Sequence, residues 1–311
     1  MNYLHYLVRH RTTYHYGGII SVSHHLLCLR PLDLPNQRCL HHEIKITPTP
    51  ALGPTRIDYF GNTNQFVTIE GAHDCLKVES ISEVAIGPSF IPESNETPPW
   101  QVARAAILAD QTRSGLIARE FAYDSPRVPL LAQFHDYALP SFGLDRPLLE
   151  AVADLTARLF SDFTFDPRAT DVSTPIEQVF EERKGVCQDF AHLQMACLRS
   201  LGIPARYVSG YLETDPPTGQ EKMIGSDASH AWLAFFCPGI GWIDVDPTNN
   251  CFPGMRHIKI ACGRDYGDVS PLRGVIIGNG AHTLTVGVDV IPQGPITLPP
   301  DHGEADQISK R

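Results

Sequence analysis

Short runs of alternating polar and apolar residues fill the first 90 positions of the chain. They are rich in Val, Ile, Thr and Tyr and are separated by Pro, Gly and Asn turns, of which FGNTN is the clearest. Strands with one buried face produce this pattern, so we predict an antiparallel β domain over residues 1–92. Residues 91–100 concentrate Pro, Ser and Asn without any periodicity, which predicts a linker.

Helical spacing replaces the alternation between Trp100 and about residue 163. Its clearest stretch is PLLEAVADLTARLFSDF, where apolar residues recur every three or four positions. A second helix is predicted for TPIEQVFEE, with Thr174 as its N-cap and Pro175 at its first helical position. A third helix is predicted from about Cys187 to about Leu201, where Gly202 and Pro204 follow.

Strand-like runs return after the third helix. Three of them, ARYVSGYL, HAWLAFF and GWIDVDP, are followed by RGVIIG and HTLTVGVDVI. We therefore predict an α+β protein, with a helical segment and a core over residues 93–292. Residues 293–311 form a polar tail that is predicted to be partly disordered.

Composition narrows the functional classes. The 311 residues carry a net charge of −10, which argues against general binding to nucleic acid or anionic membranes. No apolar run approaches the ~18 residues of a membrane span, and the N-terminus lacks the apolar stretch of a signal peptide. We therefore expect a cytoplasmic location. The eight cysteines are dispersed without a CxxC pair, so we predict no zinc ribbon or redox dithiol.

Cys187, in the stretch KGVCQDFAHL, is the cysteine with a distinctive position. Its even spacing with His192 and Cys197 suggests a metal site, but steps of five place helical side chains about 140° apart. Two interpretations remain, a buried thiol and a nucleophile. The start of a helix favours a thiolate through its dipole and free N–H groups, and Gly185 permits close approach.

A histidine and an aspartate downstream favour the nucleophile. PGIG is a turn signal between two strand-like runs, and if Phe236 and Trp242 flank it, His230 lies near residue 248. Asp246 is then close enough to hydrogen-bond His230, as a cysteine nucleophile with a base and an orienting acid requires. Asp244 has the same strand parity, so alternation alone does not separate the two aspartates.

Other polar residues receive structural interpretations. His192 should not face Cys187, Asp189 is expected to cap the helix start, and Asp227 is expected to be a loop or capping residue. Adjacent strand residues point to opposite faces, so the pairs His24–His25 and His41–His42 predict no metal site. We also predict core packing for Trp232 and Trp242.

Three segments together carry a family resemblance: GVCQDFAHLQMACLRSLGIPARYVSGYL, ASHAWLAFFCPGIGWIDVDPTN and GRDYGDVSPLRG. They resemble the core of bacterial transglutaminase-like proteins, and TTYHYGGIISVSHHLLCLRP with YFGN resembles the β domain that precedes it. The resemblance implies a papain-like arrangement, with a cysteine helix packed on an antiparallel sheet. It also implies a triad of Cys187, His230 and Asp246, since the family's acid immediately precedes Pro-Thr.

Taken together, these observations predict a cysteine-dependent acyl-transfer enzyme that acts on peptide or amide bonds through a thioester. A peptidase or amidase is the first hypothesis, and an amine-accepting protein-glutamine transglutaminase is the second. A non-catalytic scaffold that retains the fold is an alternative of another class. We expect a peptide or protein substrate, no cofactor and no metal, because no DxDxDG calcium loop occurs. The sequence leaves the oligomeric state open.

Overall fold

A computed structural model describes residues 2–214 and 229–298 of the chain. Its first sheet is antiparallel and is dominated by two long strands that pair along most of their length. The six strands of this sheet are β1 (Asn2–Leu27), β2 (Gln37–Thr47), β3 (Ala51–Ile57), β4 (Thr63–Ile86), β11 (Leu272–Gly278) and β12 (His282–Thr297).

The C-terminal strands join this first sheet. Strand β11 pairs with the second half of β1, and β12 pairs with its first half. The predicted division at residue 92 does not anticipate that pairing, and the tail expected from residue 293 begins inside β12, which extends to Thr297. Residues 299–311 lie outside the described part of the chain. As a statement about domains, the division into 1–92, 93–292 and 293–311 stays a prediction.

A second antiparallel sheet carries the site described below. Its strands are β7 (Ala205–Leu212), β8 (Ser229–Cys237), β9 (Gly241–Val245) and β10 (His257–Gly263). Their order in the sheet is β10–β7–β8–β9, so the sequence neighbours β7, β8 and β9 form a meander and β10 returns to pair with β7. Two-residue strands, β5 (Thr164–Phe165) and β6 (Lys184–Gly185), form a small parallel pair.

Helices fill the segment between the two sheets in sequence, as the spacing predicted. In the part of the chain that the structure describes, the six α-helices of this segment are α1 (Trp100–Ala109), α2 (Arg113–Glu120), α3 (Ala132–Ala138), α4 (Leu148–Asp162), α5 (Ile176–Glu182) and α6 (Cys187–Ser200). A short helix, α7 (Tyr266–Val269), follows the second sheet. Within the predicted linker, a short 3-10 turn occupies Ser94–Glu96. Among the described residues, no helix has both the length and the apolar character that a membrane crossing requires.

The expected N-cap of α5 is wrong by one residue. Pro175 is itself the N-cap, with extended backbone at ψ 142°, and the helix begins at Ile176. The hydroxyl of Thr174 instead accepts a hydrogen bond from the Asp171 backbone N–H at 3.0 Å, which closes the turn before the helix.

Helix α6 lies at the centre of the core and packs on β7 and β8. Every residue from Asp189 to Arg199 is buried, so its polar side chains need partners inside the protein. Gln194 donates to the Thr156 hydroxyl at 2.7 Å, and the Arg199 guanidinium donates to the carbonyls of Ala205 and Arg264. These bonds fix α6 against its neighbours and thereby position Cys187.

Polar contacts also connect the first sheet to the second. Three groups that make such contacts are together called the seam. The Gln37 amide bonds both the N–H and the C=O of Lys259, and the Asn62 amide does the same at Cys262. Because Lys259 and Cys262 lie on β10, these amides take the place of a neighbouring strand at that edge. The third group is His10, whose Nδ1 lies 2.8 Å from the Tyr211 hydroxyl on β7.

Candidate active site

Cys187 is the first residue of α6, where Asp189 holds the helix start. One Asp189 carboxylate oxygen accepts from the Val186 N–H at 2.8 Å and from the Thr170 hydroxyl at 2.6 Å. A Cβ on Gly185 would lie 2.8 Å from that oxygen, so only glycine leaves room for this cap. The geometry agrees with the capping role expected for Asp189. Burial raises the pKa of Asp189, and the two hydrogen bonds oppose that shift.

His230 approaches the site from β8, one residue into the strand. The hairpin register is the one predicted, since Phe236 pairs with Trp242 across the Pro238–Gly241 turn. That register brings the residues after β9 beside His230, and His230 Nε2 lies 2.7 Å from Asp246 Oδ2. The bond to Asp246 occupies Nε2, and the Cys187 side chain also interacts with the imidazole.

The electrostatics of His230 depend on these two partners. Burial alone would lower the pKa of the imidazole, but hydrogen bonds and charge interactions with Asp246 and Cys187 raise it to about 10. His230 is therefore an imidazolium at neutral pH in this arrangement. In general, a cation beside a cysteine favours the thiolate, which is the reactive form of a thiol.

Asp246 is fully buried and is surrounded by hydrogen-bond donors. The backbone N–H groups of Thr248 and Asn249 donate to Oδ1, and the Asn249 amide donates to Oδ2 at 2.7 Å. Burial would raise the pKa of this carboxyl, but the bonds from His230, His257 and Asn249 hold it well below its usual range. The carboxylate therefore stays ionised despite burial.

Asp244, the other aspartate considered for the triad, has a different partner. Asp244 forms an ion pair with Lys259, on the edge strand β10, and is opposite Ala234 in the β8–β9 ladder. The structure thus separates the two aspartates that strand parity could not. Asp227 lies outside the described residues.

The other residues near the site have structural roles. His192 is buried, and its Nε2 accepts from the Tyr266 N–H at 3.1 Å, with burial lowering its pKa to about 3. Trp232 is completely buried, and half-buried Trp242 packs under the Arg206 guanidinium. The Arg183 guanidinium, just before Cys187, lies over three aromatic rings, those of Tyr137, Phe163 and Phe180.

Two residues of the site were missed from sequence. Asn249 follows the Pro-Thr of the family segment, so that motif was its signal. His257 Nε2 lies 3.2 Å from Asp246 Oδ2, yet its run HIKIAC shows no feature beyond a strand pattern. The ligand atoms of His230, Asp246 and His257 lie within 4.8 Å of one another, a spacing that a metal ion could use. They are already hydrogen-bonded to each other, and the absence of a metal stays a prediction.

Comparison with known proteins agrees with this arrangement. Residues 139–247 match the model of the transglutaminase-like superfamily, and residues 6–85 match the bacterial transglutaminase-like N-terminal region. Uncharacterized protein Rv2569c of Mycobacterium tuberculosis is 40% identical over 295 residues, with 92% of each chain covered. A protein-glutamine gamma-glutamyltransferase of Pseudomonas aeruginosa is 35% identical over 92 residues, which are 29% of this chain and 14% of that protein.

The fold has a counterpart of known structure. The crystal structure of "a Putative Cysteine Protease from Cytophaga hutchinsonii" aligns with a TM-score of 0.75 and 20% identity, covering 96% of this chain and 94% of that one. This likeness confirms the predicted α+β fold, with an N-terminal antiparallel sheet followed by a core whose cysteine helix packs on a second sheet. The two family-model matches and the full-length relative place the chain in the bacterial transglutaminase-like family, with the family's N-terminal region preceding its transglutaminase-like core.

Proposed function

We propose that the protein is a cysteine-dependent acyl-transfer enzyme that cleaves peptide or amide bonds through a thioester. Cys187 is the nucleophile, His230 the acid and base, and Asp246 the residue that orients His230. One observation carries the proposal: the His230 ring lies between a buried carboxylate at 2.7 Å and the thiol at the start of α6. Membership of the transglutaminase-like family also supports a cysteine-dependent enzyme.

The first half of the reaction forms the thioester. The Cys187 thiolate attacks the carbonyl carbon of the substrate amide, a C–S bond forms, and the carbonyl oxygen becomes an oxyanion. Free backbone N–H groups at the start of the 14-residue helix α6 are positioned to stabilise that charge. The His230 imidazolium then gives its proton to the leaving nitrogen as the C–N bond breaks.

The second half releases the acyl group. Neutral His230 takes a proton from a water molecule, whose oxygen attacks the thioester carbon. The C–S bond breaks, and the products are a carboxylic acid and the Cys187 thiolate beside the restored imidazolium. In this scheme Asp246 keeps the same ring orientation for both proton transfers, because Nε2 stays bonded to Oδ2 and Nδ1 is left to exchange the proton.

Transfer to an amine is the second candidate, and the Pseudomonas aeruginosa relative favours it. Here a primary amine, such as a lysine side chain, would attack the same thioester, and the product would be a new amide. The two reactions share every residue named above and differ only in the acceptor. We prefer hydrolysis because water needs no dedicated binding site, whereas an amine must be bound and oriented in competition with it.

The deciding experiment offers both acceptors at once. Wild-type protein and Cys187→Ala are incubated with a peptide library and a labelled primary amine, and products are identified by mass spectrometry. Cys187-dependent cleavage or ammonia release without label supports the hydrolase. Label incorporated in a Cys187-dependent way would overturn the hydrolase preference in favour of amine transfer.

The matched control is Cys197→Ala, which removes a buried thiol from the same helix ten residues further on. Its products should be those of the wild type. If the wild type gives no product that Cys187→Ala lacks, across a broad library, the enzyme proposal fails and a non-catalytic scaffold with this fold is favoured.

A further inference from the structure

A second histidine contacts the carboxylate that orients His230. His257 is the first residue of β10, and its Nε2 lies 3.2 Å from Asp246 Oδ2, the same oxygen that His230 reaches at 2.7 Å. The two imidazole rings have centroids 6.0 Å apart. One oxygen of a fully buried carboxylate is therefore shared by two histidines from different strands, together with the Asn249 amide.

The surroundings of His257 fix the direction of this contact. The ring is 8% exposed and meets the edge of the Trp232 indole at 5.2 Å, with an interplanar angle of 80°. Its Nδ1 is buried and has no hydrogen-bond partner among residues 2–214 and 229–298. Since a carboxylate only accepts hydrogen bonds, the ring hydrogen that serves it must be on Nε2. A buried ring nitrogen without a partner is unfavourable, so packing alone does not account for a histidine here.

The two oxygens of Asp246 are held in different ways, which indicates what the Nε2–H donor of His257 would do. Oδ1 is held by two backbone N–H groups of that loop, so its position follows the loop itself. Oδ2 is the oxygen that faces His230, and its position depends on side chains. A donor fixed on β10, outside the loop, would keep Oδ2 in place relative to the sheet that carries His230.

We propose that His257 is a positioning residue: its Nε2–H fixes Oδ2 of Asp246, and the carboxylate in turn holds His230 in the orientation that serves Cys187. The inference rests on the proposed function, because it concerns the same three residues. His257 touches neither the thiol nor the reacting atoms in this scheme, so it acts through Asp246.

Other titratable groups surround this contact and enter any pH profile. Asp246 and His230 face the His257 ring directly, and the Glu213–Arg256 ion pair, at 3.4 Å, lines the same 650 Å³ cavity as His257. The Cys251 thiol also lines that cavity, and burial, followed by the charge of Asp246, raises its pKa to about 11. Variants that leave all of these groups in place therefore isolate the effect of His257.

The test compares His257→Leu, His257→Asn and His257→Gln. Glutamine can place an amide nitrogen where Nε2 lies, asparagine places it where Nδ1 lies, and leucine has no donor. The readout is the rate at which iodoacetamide alkylates Cys187 between pH 5 and 9, measured by mass spectrometry of the peptide that contains it. This reaction needs no substrate, because the thiolate simply displaces iodide.

We expect His257→Leu and His257→Asn to lower the alkylation rate near pH 6.5 by about tenfold, consistent with one lost hydrogen bond to a charged group. In both variants the rise in rate should move toward the free-thiol range near 8.5, and His257→Gln should stay within about threefold of the wild type. Rescue by glutamine alone would separate positioning from packing.

Two results would overturn the inference. One is a wild-type profile in both His257→Leu and His257→Asn. The other is the same loss in all three variants with a lowered melting temperature, which would indicate packing only. If His257→Leu does not fold, the asparagine and glutamine variants decide. A profile that responds to His257 in a protein without Cys187-dependent products would refute the proposed function and leave the positioning role standing.

Discussion

Two buried histidines of this protein titrate in opposite directions. At the seam, His10 lies between the Tyr211 and Thr12 hydroxyls, at 2.8 and 3.0 Å, and burial lowers its pKa to about 4. At the candidate active site, His230 is nearly as buried, but Asp246 and Cys187 raise its pKa to about 10. His10 itself lies on β1 of the first sheet, but its partner Tyr211 lies on β7, the neighbour of the strand β8 that carries His230.

The difference lies in the partners. Hydroxyl groups can serve a neutral imidazole as donor and acceptor, and burial then decides the charge state. A carboxylate within hydrogen-bond distance outweighs the same burial and makes the charged form the stable one. The seam therefore stabilises the fold with neutral groups, whereas the candidate active site holds buried charged groups, as catalytic sites commonly do.

Removing the Asp246 carboxylate should abolish the contrast between the two histidines, and this change has the largest expected effect. In Asp246→Asn the shape is kept but the charge is lost, so the pKa of His230 should fall toward the range of His10. We expect kcat/KM to drop by about 10²- to 10⁴-fold, since the histidine would lose both its charge partner and its fixed tautomer. The measurements are steady-state kinetics and an NMR titration of the imidazole.

Asp244→Asn is the control for that variant. It removes a carboxylate two residues earlier on the same chain segment, one that pairs with Lys259 instead of a histidine. Activity within about threefold of the wild type is expected, because an ion pair away from the reacting groups contributes little to the chemistry. An equal loss in both variants would show that the hairpin, not the His230–Asp246 pair, determines activity.

The pH dependence of stability should separate the two histidines by sign. His10 has a folded pKa below its unfolded value, so the unfolded state binds more protons between about pH 6.5 and 4, and stability is lost as pH falls. The stability lost through His10 approaches about 3 kcal/mol at low pH. His230 has a raised folded pKa, so its contribution is present below about 6.5 and is lost as pH rises toward 10.

Urea unfolding of wild type and His10→Gln at several pH values tests the pH dependence predicted for His10. Between pH 6.5 and 4 the wild type should lose more stability than the variant, which has no imidazole at position 10. Comparing two proteins cancels the other groups that titrate in this range, including His25 and His192. Parallel stability curves would show that His10 does not supply the difference.

Asn62→Ala should affect stability without affecting chemistry, and its effect is smaller. The side-chain amide is fully buried and pairs with the N–H and C=O of Cys262, both of which would be left unsatisfied. We expect a loss of about 1–3 kcal/mol in the free energy of unfolding and unchanged kcat/KM per folded molecule. Asn36→Ala, which breaks one bond to Ser89, is the matched control and should cost less.

Local patterns predicted how close His230 and Asp246 lie, whereas their catalytic roles stay a prediction. The PGIG turn fixed the register of β8 and β9, and that register alone brought His230 close to Asp246. Only the family motif distinguishes Asp246 from Asp244 in the sequence, since both have the same strand parity. The helix start at Cys187 followed from its Gly and from the apolar spacing beyond it.

Tertiary pairing accounts for what the sequence did not reveal. The sequence predicts β11 and β12 as strands, but alternation does not indicate which sheet a strand joins. In the structure both pair with β1, more than 240 positions earlier. His257 contacts Asp246 only because β10 returns to pair with β7. Gln37 and Asn62 lie in β-rich sequence, where nothing marks an amide that bonds the edge of another sheet.

Alkylation of Cys187 in the wild-type protein tests the central claim most directly. If the charged His230 activates the thiol, iodoacetamide should react with Cys187 rapidly at about pH 6, and far faster than with Cys39 or Cys251 in the same sample. In Asp246→Asn that preference should be lost. A Cys187 rate that rises only near pH 8.5, as for a free thiol, would contradict the account.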